Sequence, residues 1–280
     1  MPHSNSSVDL RRRRLASALA SLGISILGRP ARAGAPARFP VFDALLHRGK
    51  PPLEREGLVR MPAIANIWRP GVSHDEVDER GVVAAVELLP LDTTHVYIDI
   101  ENWPLFPADS AVLDASLRKL LRVTDIVRRA RPGLLLGFYG APPASAYWPI
   151  MFRNASYQQW LQTNRRMAPL ARAVDFLLPS FYTHYDDLAG WLRFAAAQLE
   201  EARRYDKPIY PFLLYLYSEY RSPLDGLDIP ERTWHVELEF CREHADGVVL
   251  WGGAGRNWSE SATWWQVTRK VLHLPADPFG

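Results

Sequence analysis

Two carboxylates stand two residues apart at the end of an otherwise apolar run: Asp99 and Glu101 in HVYIDIENWP, residues 95–104, with Trp103 two further on. On an extended strand, residues i and i+2 share a face, so both acids and the indole project to one side. His95 and Tyr97 share that face, which brings metal-dependent hydrolysis into view. No second histidine cluster joins them, and His235, Glu239 and His244 sit on a stretch with helical spacing that reads as an outer, surface-facing helix. The expectation is therefore chemistry without a metal or a cofactor, carried by the acids.

Acids at a strand end need elements that hold them there. Short, nearly continuous apolar runs bounded by Gly or Pro recur at 61–68, 95–101, 134–140, 174–182, 208–217 and 247–252, the pattern of parallel strands covered on both faces. Amphipathic stretches separate them: Leu113, Leu117, Leu120, Leu121, Ile126 and Val127 form one stripe, Trp191, Phe194, Ala195 and Leu199 another, and Trp234, Leu238 and Cys241 a third. Ser259-Glu260-Ser261 offers a cap for a last helix through Val271. Strand and helix alternating in this way predict an α/β fold, a single (β/α)8-type TIM barrel over residues 34–280. Six strands are evident; the others are expected in 39–45 and 82–89, or the barrel is irregular with fewer than eight.

In such a barrel the reactive groups gather at the C-terminal strand ends. Those ends hold Asp99, Glu101 and Trp103, then Phe138 and Tyr139, then Ser180 and Tyr182, then Tyr215 and Tyr217, then Trp251. Aromatic faces stack on sugar rings while phenols and carboxylates bond to ring substituents, so this mouth suits a carbohydrate. Taken singly, each aromatic is better explained as a cap on the core, and it is their conjunction at five strand ends that favours a site.

Two carboxylates suggest glycoside hydrolysis, but the usual schemes set them about 5 Å or more apart across the scissile bond. Neighbours on one face of one strand do not straddle a sugar. Their placement fits the substrate-assisted route, in which the substrate's N-acetyl oxygen attacks and the protein supplies one acid. Glu101 is expected to be that acid, its pKa raised by burial and by Asp99, with Asp99 orienting the acetamido group.

These segments resemble the hyaluronidase family of glycoside hydrolases. That family's Asp-Trp-Glu-x-Trp-Arg-Pro is similar to Asp99-Ile100-Glu101-Asn102-Trp103-Pro104, and GFYGAPP at 137–143, LLPSFY at 177–182, PIYPFLLYLY at 208–217 and DGVVLWG at 246–252 follow in the same order. The resemblance implies a barrel and retaining, metal-free endo-hydrolysis of N-acetylhexosaminide linkages. It puts the proton donor at Glu101, its supporting acid at Asp99, the tyrosines that hold the N-acetyl group at Tyr182 and Tyr215, and the pocket tryptophan at Trp251. Tyr139, Trp103 and Tyr217 complete the expected substrate contacts. Ile100 replaces the motif's first Trp, Pro104 its Arg, and the animal enzymes' paired cysteines are absent, since Cys241 is the one cysteine. With that Arg gone, hyaluronan and a neutral N-acetylhexosamine polymer are equally open as substrates, and Arg153, Arg165, Arg221 and Arg256 are candidates to line a groove. From a different class, an inactive barrel that binds glycans or a partner protein also fits.

The net charge of +2 is carried by the start of the chain, where Arg11, Arg12, Arg13, Arg14, Arg29, Arg32 and Arg38 lie. The remainder is mildly acidic, which removes the compositional case for nucleic-acid binding. LRRRRL followed by a weakly apolar stretch to Leu27 and by Ala31-Arg32-Ala33 reads as an export signal over 1–33, suited to the twin-arginine route and to a periplasmic or secreted destination. That stretch is too short to span a bilayer, so no integral membrane segment is expected in the mature chain.

Overall fold

A computed structural model of the protein describes residues 39–219 and 222–275. Its strands are β1 (Val41–Leu45), β2 (Val59–Arg60), β3 (Ala63–Ile64), β4 (His95–Ile98), β5 (Leu135–Phe138), β6 (Phe212–Leu214) and β7 (Val248–Gly252). They pair in parallel throughout, as a four-stranded sheet β2-β1-β7-β6 and a three-stranded sheet β3-β4-β5. Eight helices lie between and after the strands among the described residues: α1 (Glu79–Glu87), α2 (Ser110–Ala130), α3 (Tyr147–Phe152), α4 (Ala155–Arg166), α5 (Ala168–Ala173), α6 (Leu188–Arg203), α7 (Glu231–His244) and α8 (Thr263–Leu272).

Period-two alternation divides the apolar residues into two clusters. Phe42, Tyr97, Phe176, Leu178, Tyr182, Tyr210, Phe212, Leu214 and Val249 pack together between the two sheets, where the Tyr97 ring of one sheet meets Phe212 of the other at 5.0 Å. Their strand neighbours, such as Ile98, Phe138, Leu213 and Val248, join the helix faces in a second cluster outside. The long helix α2 shows why the helices cover the sheets: Asp109 caps it by accepting from the Ala111 N–H at 2.8 Å, and Leu113, Leu117, Leu120, Val123 and Val127 recur on one buried face.

Single bridges connect the two sheets. Leu178 pairs with Tyr139 on one side, while Leu177 and Ser180 pair with Ile209 and Phe212 on the other. At the opposite flank the chain runs from β2, paired with β1, into β3, paired with β4. Pro62 sits between them without an N–H to continue the ladder, although its carbonyl still accepts from Tyr97 N–H at 3.2 Å.

The α/β class with parallel strands agrees with the sequence, but a regular eight-stranded wall does not appear among the described residues. Residues 174–182 make isolated bridges instead of a strand, interrupted by Pro179. Residues 82–89 are not a strand: Val82 and Val86 are buried four apart on α1, which Asp78 caps by accepting from Gly81 N–H at 3.1 Å. The Ser259-Glu260-Ser261 segment does not cap α8, because the two hydroxyls bond each other at 2.9 Å and Glu260 accepts from the indoles of Trp258 and Trp265. His244 is not a surface residue. It is half-buried against Phe240, and burial pushes its pKa down to about 4. The expected export segment 1–33 lies outside the described residues. No described helix is long and apolar enough to cross a membrane.

Candidate functional site

Past the C-terminal strand ends lies an open cavity of about 500 Å³. β4 and the residues after it supply Tyr97, Asp99, Ile100, Glu101 and Trp103, and the turn after β5 supplies Tyr139 and Gly140. Ser180, Tyr182 and His184 come from the linking segment, Phe212 from β6, Ser218 from the loop after it, and Trp251 from β7.

Phe212 is the floor of this cavity. Tyr97 and Tyr139 meet its ring edge-on at 5.0 and 5.1 Å, and Tyr182 stacks on Trp251 at 5.8 Å. The Tyr139 hydroxyl lies 3.3 Å from Ser180 Oγ, and the Tyr139 and Tyr182 rings are 5.6 Å apart. Burial pushes the Tyr97 and Tyr139 phenols up to about 12 and holds that of Tyr182 well above its ordinary value. These phenols stay neutral at neutral pH, so they position by hydrogen bonding and do not serve as bases. The other ionisable side chains lining the cavity are Asp99, Glu101 and His184.

The two acids differ in environment. Asp99 is half-buried, its backbone N–H held by the Ile64 carbonyl at 3.1 Å, and burial followed by the charge of Glu101 pushes its pKa up to about 6. Glu101 is exposed at the rim. The expected burial of Glu101 is therefore found on its partner, because the strand ends at Ile98 and the chain lifts away from the sheet between the two acids.

Of the expected contacts, Tyr139, Tyr182, Trp251 and Trp103 line the cavity with the acids. Trp103 is a wall more than a hand, since its indole N–H is committed to the His74 carbonyl at 2.8 Å and only 2% of the residue is exposed. Tyr215 and Tyr217 lie elsewhere. On β6 it is Phe212 and Leu214 that face inward, so the odd-numbered residues after them point out towards the helices. Tyr215 stacks on Trp264 at 4.2 Å with its hydroxyl 2.8 Å from His47 Nε2, and Tyr217 donates to Asp186 at 3.1 Å. His95 is also remote from the acids' end, packed beside Phe42 and Phe176. Among the described residues no group of three or more His, Cys, Asp or Glu is arranged to hold a metal. Arg153, Arg165 and Arg256 do not line the cavity: Arg256 is bound to Asp228 at 2.9 Å and Arg153 lies over Tyr157; Arg221 is outside the described residues.

His184 was missed, although Ser180, Tyr182 and His184 continue one alternation and extending it by a single step would have found it. Its Nδ1 donates to the Ser218 carbonyl at 2.5 Å, which leaves Nε2 free.

No family model matches the sequence, and no curated protein matches it. Solved structures do. Bee venom hyaluronidase is similar with a TM-score of 0.57 and 15% identity over 84% of this chain and 97% of the other. The same bee enzyme in complex with a hyaluronic acid tetramer gives a TM-score of 0.53 and 16% identity over 85% of each chain. At such identities the likeness establishes the fold, an α/β arrangement of parallel strands of the kind these enzymes have.

Proposed function

We propose that this chain is a hyaluronidase-like glycoside hydrolase that cleaves N-acetylhexosaminide linkages within a polysaccharide, with retention and by substrate assistance. The observation that carries this is the pairing of a half-buried Asp99, its pKa raised to about 6, with an exposed Glu101 at the rim of a cavity walled by neutral phenols and an indole. In support, the motifs that resemble the family deliver Tyr139, Tyr182 and Trp251 to the same hollow, and the two sheets act here as one irregular barrel wall of seven staves.

Glu101 protonates the glycosidic oxygen as the C1–O bond breaks, and the acetamido oxygen closes onto C1 from the opposite face. Asp99 accepts from the acetamido N–H and carries the charge of the resulting oxazolinium ring. Tyr182 bonds the acetamido group, while Trp251 and Phe212 present apolar surface to the sugar. Water then opens the ring at C1, returning its proton to Glu101, so the product keeps its configuration. Tyr215 has no part, because its hydroxyl is bound to His47. We further propose that residues 1–33 direct export, which places the substrate outside the cytoplasm.

The test is to assay reducing-end release from hyaluronan, chitin oligomers and peptidoglycan fragments, each beside its de-N-acetylated counterpart. Release from at least one acetylated polymer and none from its deacetylated form is expected. Equal release from both forms would rule out acetamido participation, and no release from any would favour an inactive glycan-binding barrel.

A further inference from the structure

The short helix α3, just past the cavity-lining Ser145, turns two aromatic rings outward. Trp148 and Phe152 lie four residues apart, hence on one helix face, and their rings stack at 5.3 Å with 16° between planes. They are 48% and 63% exposed, and they are the aromatic rings among the exposed large hydrophobic side chains of the described residues. The buried side of the same helix explains the exposure: Ile150 enters the core and Tyr147 packs on Phe194 at 5.4 Å, which fixes the opposite face towards solvent.

The pair is held in place. The Trp148 ring lies 5.1 Å from that of Tyr185 and meets the Tyr147 ring edge-on at 5.1 Å. Packing against these neighbours pre-organises the exposed part of the indole. The row of rings also leads to the cavity, for Tyr147 meets both Trp148 at 5.1 Å and the cavity-lining His184 at 5.7 Å.

We infer that Trp148 and Phe152 form a stacking platform for a glycan chain that extends out of the cavity, so that the protein takes polymers and not single terminal sugars. This rests on the function proposed above. A glycan fits better than a protein: two rings bury about 150–250 Å² each, well below the roughly 1,200 Å² of a stable protein interface. Arg153, Asn154 and Asp187 are exposed nearby, where sugar hydroxyls need partners.

Calorimetric binding of hyaluronan and chitin tetramers and decamers is measured in a Glu101→Gln background, with Trp148→Ala or Phe152→Ala added, while intact chain is assayed for hydrolysis in parallel. Phe152→Ala keeps the Trp148–Tyr185 ring contact and so guards against a folding artefact. Each substitution is expected to weaken decamer binding about ten-fold and tetramer binding less than two-fold. Equal effects on both lengths, or none, overturn the platform while leaving cleavage standing. Length-dependent binding without hydrolysis overturns cleavage and keeps the platform, and failure of every oligomer to bind overturns both. Loss of a dimer by light scattering, with glycan binding unchanged, overturns the platform in favour of a contact between copies.

Discussion

Asp99 carries the clearest electrostatic signature in the cavity, and its sign can be worked out. Its pKa rises to about 6 on folding from an ordinary value of 3.8, so the folded chain holds the proton more tightly than the unfolded one. Its contribution to stability is fully present below pH 4 and is lost as pH rises through 6. Asp99→Asn should therefore stabilise the fold by about 1–3 kcal/mol more at pH 7 than at pH 4, measured by urea unfolding at both. A difference that does not vary with pH would show that Asp99 is not buried against Glu101. Tyr215 gives the complementary case. Tyr215→Phe should cost about 0.5–1.5 kcal/mol through the lost His47 bond while leaving KM unchanged, whereas Tyr182→Phe should raise KM. A KM effect at Tyr215 would return it to the substrate site.

Elements position these residues through close backbone approaches that forbid a side chain. At Gly137 on β5 an added Cβ would stand 2.7 Å from the Phe176 carbonyl oxygen, and at Gly81 on α1 it would stand 1.8 Å from that of Ile67. Gly137→Ala and Gly81→Ala should each destabilise by about 1–3 kcal/mol in thermal melts, and a wild-type melting temperature for either would contradict the packing described. The helices and the parallel strand class were legible in the sequence because their apolar spacing is regular over many residues, as in α2. The acids, Tyr139, Tyr182 and Trp251 were legible because each stands on the inward face at or just past a strand end. Tyr215 was not. A run as uniformly apolar as PIYPFLLYLY carries no alternation to set its register, and one residue of slip exchanges the inward and outward faces. Likewise 174–182 looks like a strand but spends its hydrogen bonds on isolated bridges around Pro179.

At the scale of the molecule, the outer apolar cluster runs from Val41 to Leu274 and takes residues from β1, β3 to β7 and every described α-helix. A cluster shared in this way predicts one cooperative transition: tryptophan fluorescence and far-ultraviolet circular dichroism should give coincident urea midpoints, and separated midpoints would show that the two sheets unfold independently. The same continuity explains how the acids after β4, the phenol after β5, that of the linking segment and the indole of β7 share one hollow although they come from both sheets and the chain between them.

The central claim is that Glu101 donates the proton that breaks a glycosidic bond. The direct measurement is kcat/KM for the intact chain and for Glu101→Gln on the N-acetylhexosamine polymer it cleaves, with circular dichroism to show that both are folded. A fall of about 10²–10⁴-fold is predicted, the range for loss of a positioned general acid, with oligosaccharide binding retained. Equal turnover by the two proteins would contradict it.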